Sequence, residues 1–235
     1  TTATDVFNVA VGYQAGAAVT TGKSNTLVGG ESGKATTTGE NNTFIGHEAG
    51  EATTTASNNT AVGRDALTAN TTGEVNSAFG ASAMFTNTTG YGNTAVGKNA
   101  LYTNNGNNNT AVGHEALELT STGSENTAVG REALEENTTG NYNTAVGYRA
   151  ADSVTTGTYN VAMGRRALDS VTTTSYSVAI GSSALENNTS GSMVAVGHNA
   201  LTANTTGTLN TAVGHNALSS NSTANSNTAV GVLAL

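Results

Sequence analysis

Apolar and polar positions alternate in a short motif that returns along the whole chain. Asn-Thr-Ala-Val-Gly, or a close variant, ends at Gly12, Gly29, Gly46, Gly63, Gly80, Gly97, Gly113, Gly130, Gly147, Gly164, Gly181, Gly197, Gly214 and Gly231. The spacing is 17 residues, except for 16 between Gly97 and Gly113 and between Gly181 and Gly197, so fourteen copies fill residues 1–235. A full copy, Asn59 to Val75, reads Asn-Thr-Ala-Val-Gly-x-x-Ala-Leu-x-x-Asn-Thr-Thr-Gly-x-x. This unit is too short for a two-helix repeat, and it lacks the Leu-rich pattern of a horseshoe. Val and Thr favour pleated strands, while Gly and Asn favour turns. The pattern predicts an all-β parallel β-solenoid, a β-roll or β-helix of fourteen coils, each with two short strands separated by two turns.

Two apolar columns define the expected core. The residue before the motif Gly is always apolar, as at Val62, Val96, Val129, Val146 and Val213. Two positions earlier, on the same face of the strand, Thr and Val interchange, and this column is also expected to be buried. The second column, Leu67, Leu101, Leu134, Leu201 and Leu218 among others, forms the opposite wall. Val129→Asp is therefore expected to unfold its coil. Gly63, Gly97, Gly130, Gly147 and Gly214 turn the chain after the strand, and the two short copies place deletion-tolerant turns near Gly106 and Gly191. Gly16, Gly33 and Gly50 replace the wall Leu in the first three coils, with Ala18, Ala35 and Ala52 two positions on, so residues 1–56 are a variant coil type within one repeat domain spanning 1–235. Stacking at about 4.8 Å per coil predicts a rod of roughly 65 Å.

Composition supports packing by repetition over a conventional core. Trp, Cys and Pro are absent, aromatics make up 5% of residues and charged residues 10%. With no disulfides, stability must come from packing and backbone hydrogen bonds. A net charge of -8 removes the basic footprint that nucleic-acid binding needs. No apolar run is long enough to span a bilayer, and Thr1-Thr2-Ala3-Thr4-Asp5 does not look like a signal peptide. Lacking an initiator Met, the chain is read as a processed product or a segment of something longer.

Tyr176-Ser177-Val178-Ala179-Ile180-Gly181 and Asn160-Val161-Ala162-Met163-Gly164 resemble the head repeats of trimeric autotransporter adhesins, and the likeness extends over every coil. That resemblance implies left-handed coils and a homotrimer sharing a central seam. The family's usual unit is shorter and lacks the Asn-Thr-Thr-Gly element at Asn70 to Gly73, Asn137 to Gly140 and Asn204 to Gly207. The longer motif is similar to repeats of bacteriophage tail-fibre proteins. A thin coil with one Val and one Leu also gains by sharing a seam, which independently favours oligomerisation. The last coil ends at Gly231-Val232-Leu233-Ala234-Leu235 without a polar cap, so a cap from another segment or subunit, or end-to-end assembly, is expected.

Candidate chemistry is sparse. His198 and His215 fall on adjacent rungs about 5 Å apart, a spacing at which imidazoles share a metal, but as members of a variable turn column they are read first as exposed residues. The acidic column Glu31, Glu48, Asp65, Glu115 and Glu132 is read as solvated partners of Arg64 or Arg131. Asn70-Thr71-Thr72 and Asn87-Thr88-Thr89 match the glycosylation triplet, yet they arise from the repeat itself. No catalytic site and no cofactor is expected. The reading is a rigid segment of a phage tail fibre or a bacterial surface adhesin, located on the virion or at the cell surface. Its contacts to a host glycan or protein receptor would lie on the turn carrying Tyr13, His47, Arg64, His114, Tyr148 and Arg165. The alternatives are an ice-binding protein using Thr ladders and a self-assembling extracellular filament subunit.

Overall fold

Each Thr-Ala-Val segment forms one three-residue strand, and the motif Gly ends it. The computed structural model describes residues 6–235, so the terminal segment read above for a targeting signal lies outside the described residues. Two compact units are present, Thr1–His114 and Glu115–Leu235. The first carries β1 (Val9–Val11), β2 (Thr26–Val28), β3 (Thr43–Ile45), β4 (Thr60–Val62), β5 (Ser77–Phe79), β6 (Thr94–Val96) and β7 (Thr110–Val112). The second carries β8 (Thr127–Val129), β9 (Thr144–Val146), β10 (Val161–Met163), β11 (Val178–Ile180), β12 (Val194–Val196), β13 (Thr211–Val213) and β14 (Thr228–Val230). Within each unit every strand pairs in parallel with its sequence neighbour, in a register that aligns the motif column by column, as in Thr43↔Thr60 and Ala162↔Ala179. The fold is the all-β parallel solenoid that the repeat predicts. Among the described residues no helix is long and apolar enough to cross a membrane.

Among the described residues each coil has one strand where two were expected. The Ala-Leu segment is not extended: Asp65 and Leu67, two residues apart, both adopt left-handed backbone, at φ 59° and 55°, and the same pair of positions repeats at Glu132 and Leu134. Such backbone is uncommon for a bulky residue and costs of order 1 kcal/mol. Burial of the Leu side chain, about 1.5–3 kcal/mol, offsets it. Coil-to-coil hydrogen bonding continues through this turn, with Leu67 N–H donating to Ala83 O at 2.9 Å and Thr71 N–H to Thr88 O at 3.0 Å. The backbone is thus paired around the coil, which stabilises a cysteine-free chain.

The core is assigned differently from the expectation. Leu67, Leu101, Leu134 and Leu201 are fully buried and Leu218 nearly so. Facing them is the strand's central Ala (Ala61, Ala95, Ala128, Ala145, Ala212), not the Val column. Val96 and Val129 are 40% and 37% exposed, while Val62, Val146 and Val213 are half-buried, as is most of the Thr column. The coil is too narrow for a branched side chain on both walls. Once the Leu wall fills it, only a methyl fits opposite, and the alternation of the strand sends Thr and Val outward together.

The first coils satisfy the same volume in reverse. Leu27 and Phe44 occupy the strand-centre position and are fully buried, and glycines stand where the wall would carry Leu. A Cβ on Gly33 would lie 2.7 Å from Leu27 Cδ2, and one on Gly50 would lie 2.6 Å from the Phe44 ring.

Buried Asn residues close the polar account. In the column before the strand, Asn42 Oδ1 accepts from Asn59 N–H at 3.0 Å and Asn42 Nδ2 donates to Ala56 O at 2.9 Å, a pattern repeated at Asn59, Asn76 and Asn143. A second ladder links Asn87 Nδ2 to Asn70 Oδ1 at 3.2 Å and Asn104 Nδ2 to Asn87 Oδ1 at 3.3 Å. The motif glycine is fixed by close approach: Gly63 has φ 141°, and a Cβ there would lie 2.5 Å from Gly80 O.

Candidate functional site

The outward face of the sheet presents two parallel columns. In the first unit the apolar one runs Val11, Val28, Ile45, Val62, Phe79, Val96, Val112, and in the second Val129, Val146, Met163, Ile180, Val196, Val213, Val230. Members such as Ile45, Phe79, Met163 and Ile180 are 37–42% exposed. Beside them stand Thr26, Thr43, Thr60 and their successors, a column that is Thr on most rungs but Ser at Ser77 and Val at Val9, Val161, Val178 and Val194. Seven successive apolar rungs in each unit form a continuous stripe of the kind that marks an interaction surface.

The variable turn lies one residue past the motif Gly, along the edge of this face. Tyr13, His47, Arg64 and Arg165 are exposed, Tyr148 largely so and His114 half-buried. In the first unit His47 and Arg64 occupy adjacent rungs, whereas Gly30 separates Tyr13 from His47, and Ala81 and Lys98 separate Arg64 from His114. In the second, Tyr148 stands between Arg131 and Arg165, with the Arg131 guanidinium 5.8 Å from its ring centre. Local carboxylates engage several of these side chains, as in Arg64 Nε with Asp65 Oδ2 at 3.3 Å and His47 Nδ1 near Glu48 Oε1 at 3.6 Å. His198 and His215 stack face to face, their ring centres 5.2 Å apart and 10° from parallel. Imidazole lone pairs lie in the ring plane, so this stack does not direct them at one shared ion.

Two ladders went unread in the sequence. The residue after the wall position, which is Leu on these rungs except for Ala151, is acidic on successive rungs: Glu118, Glu135, Asp152, Asp169, Glu186. Arg149 binds Asp152 Oδ2 and lies 3.7 Å from Asp169 Oδ1, and Arg166 bridges Asp169 at 2.9 Å and Glu186 at 3.0 Å. Burial holds the Asp152 carboxyl above the usual range even so. Towards Glu135 the arginine column gives way to Glu115 and Glu132. Glu115, Glu118 and Glu135 bring one carboxylate oxygen each within 4.8 Å of one another, a donor set able to hold a hard cation. The second ladder is aromatic, Tyr142, Tyr159 and Tyr176, with ring centres 4.8 and 5.2 Å apart. Comparing columns at the positions after the wall Leu and before the buried Asn reveals both.

Burial first, then the charges of Asp152, Glu132, Glu118 and Glu115, push the Glu135 carboxyl up to about 7 from 4.5. A raised carboxyl pKa means that the folded chain keeps a proton that the unfolded chain has lost. Its contribution to stability is present below pH 4.5 and is lost as pH rises through 7. Glu135→Gln is expected to raise the thermal midpoint at pH 8 and to change it little at pH 5, as read from unfolding curves at both values. Since the side chain is partly exposed, the gain is only a fraction of about 1.4 kcal/mol per pKa unit.

The glycosylation triplets at Asn70 and Asn87 are closed in the folded chain. Asn70 and Asn87 are fully buried, and their amides donate to Gly73 O and Gly90 O at 3.0 and 3.1 Å. Compared with known proteins, the chain matches no family model, no curated protein and no solved structure.

Proposed function

We propose that the chain is a structural segment of a surface fibre or adhesin, on a phage tail fibre or a bacterial surface, whose copies join through the outward Thr/Val face. One observation carries this reading: the exposed apolar stripe on the outer face of the sheet. Its apolar groups recur at one rung, about 4.8 Å. A partner that covers them all must present apolar groups at the same rise, and another copy of this solenoid does so. Three copies around a common axis, the arrangement implied by the adhesin-like repeats, bury the face of every copy. The role is then to hold an attachment surface away from its anchor, with the variable turn left at the rim.

Molar mass in solution tests the proposal. A mass near three times 23.3 kDa is expected. A single-chain mass at tens of micromolar overturns it, and an open polymer points to the filament reading.

The same face favours a second reading, an ice-binding surface, because the Thr and Val methyls share one outward side in a regular array. That role requires the face to be free in water. Thermal hysteresis from a monomeric chain supports it, whereas a trimer without hysteresis removes it.

A further inference from the structure

The tyrosine ladder ends at a gap. Tyr142, Tyr159 and Tyr176 each precede the buried polar residue of their coil and adopt left-handed backbone, φ 59°, 58° and 61°, which turns them outward at 46%, 48% and 64% exposure. Between Gly181 and Gly197 the coil is one residue short. Thr174-Ser175-Tyr176-Ser177-Val178 aligns there with Gly191-Ser192-Met193-Val194, and the missing residue belongs to the tyrosine column. Hydrogen bonding agrees with that alignment. Ser192 O accepts from Leu209 N–H at 3.2 Å, the part that Thr158 O plays for Tyr176 N–H at 3.0 Å, so Ser192 fills the position before the tyrosine. The column resumes at Leu209, 65% exposed. One rung of side chain is therefore absent, leaving a cleft of ≈ 230 Å³ with Tyr176 and Leu209 as walls and Ser192, Met193 and Val194 among its lining.

We propose that this cleft binds a single hexopyranose ring of a glycan, seated between Tyr176 and Leu209. Its volume lies below the roughly 300–1,000 Å³ of pockets that hold drug-sized ligands, which limits the occupant to about one ring. Two rungs span about 9.6 Å. A flat aromatic ring packed on Tyr176 at about 3.5 Å leaves the Leu209 side out of contact. A puckered saturated ring is thicker and reaches both walls, with axial C–H groups against the tyrosine face. Its equatorial hydroxyls then project to the rim, where the Ser192 and Thr211 hydroxyls stand. Ser192 Oγ already donates to Ser175 O at 3.2 Å and so offers its lone pairs to a sugar hydroxyl. The proposal deepens the attachment reading by naming a ligand class for it; because Val194 and Thr211 belong to the outward Thr column, the cleft borders the face that joins copies, and binding is read on dilute single chains as well as on the assembly.

Met193 supplies the probe, because it lines the cleft, is almost fully buried and is one of three methionines. With ¹³C-methyl methionine in the full chain, the Met193 methyl resonance, assigned through Met193→Leu, is followed during titration with methyl glycosides of glucose, galactose, mannose and N-acetylglucosamine. At least one is expected to shift it saturably with Kd of about 1–10 mM, as a ring-sized ligand in an open cleft allows. The Met84 methyl, in the other unit, stays fixed. Tyr176→Ala and Leu209→Ser, both at exposed side chains, are expected to weaken binding tenfold or more, and Tyr142→Ala, two rungs away, to leave it unchanged. No Met193 shift with any glycoside at 100 mM overturns the site. A shift with p-cresol and none with the sugars overturns the ligand class. Sugar binding by a monomeric chain keeps the cleft and removes the fibre reading, whereas a trimer without sugar binding does the reverse.

Discussion

Gly50→Leu is expected to destabilise the N-terminal coils strongly, and adding Phe44→Ala to that variant is expected to restore most of the loss. Gly50 stands where later coils carry the wall Leu, and its backbone, φ 60°, already matches that of Leu67 at 55°. The obstacle is volume: a Cβ there would lie 2.6 Å from the Phe44 ring, which fills the coil from the strand side. Overpacking of this kind costs about 1–3 kcal/mol or more. Phe44→Ala alone leaves a cavity opposite a glycine and costs about 3–5 kcal/mol. Together the two changes recreate the Ala and Leu pairing of Ala61 and Leu67. The double variant is therefore expected within about 1–2 kcal/mol of the parent, a coupling far outside simple additivity. Urea unfolding followed by circular dichroism measures all four corners of the cycle. Additive losses would mean that the two side chains do not share one volume.

Placing Asp at Met163, Ile180 and Val196 together is expected to leave the β signal intact and reduce the particle to single chains. These three stand on adjacent rungs of the outward stripe. In an isolated chain the carboxylates sit in water, whereas in an assembly each is buried without a partner, at a cost of several kcal/mol. Apparent association is expected to weaken by more than a thousandfold, read by light scattering beside circular dichroism. Ala162→Asp, one position from Met163 but pointing inward, is expected to unfold its coil and those next to it. By the same reasoning the exposed Val129 tolerates Asp in the single chain, contrary to what its apolar column suggests. A triple variant that loses its β signal at every concentration would return the Val column to the core.

The repeat made the solenoid, its parallel register and the Leu wall legible, because period and residue type act on the same positions. Alternation also placed Thr and Val on one side of the strand and Ala on the other. What it could not do was choose the inner side. Hydrophobicity favours Val, but the narrow coil admits only a methyl opposite Leu. A clue lay in the strand centre, where Leu27 and Phe44 appear beside Gly33 and Gly50, and Ala61 beside Leu67. Such an exchange of large and small is the signature of two positions sharing one volume. The second strand was misread because nothing in a Leu announces left-handed backbone. Asn favours turns, yet the burial of the Asn columns follows only from the closed coil. The cleft at Tyr176 rests on a single deletion, visible as a 16-residue spacing but without meaning until its column was known.

Self-association through the outward face is tested most directly by a single cysteine. The chain has none, so Ile180→Cys can form a disulfide only between copies. A disulfide needs Cα atoms about 4.4–6.8 Å apart, a separation that parallel, in-register copies reach only if their stripes face one another. Under mild oxidation Ile180→Cys is expected to give a covalent dimer on a non-reducing gel, the most that one cysteine per chain allows even in a trimer. Asn187→Cys, on an exposed turn away from the sheet, is expected to stay monomeric. Cross-linking at Asn187 without cross-linking at Ile180, or none at Ile180 in a sample that light scattering shows to be oligomeric, would contradict the account.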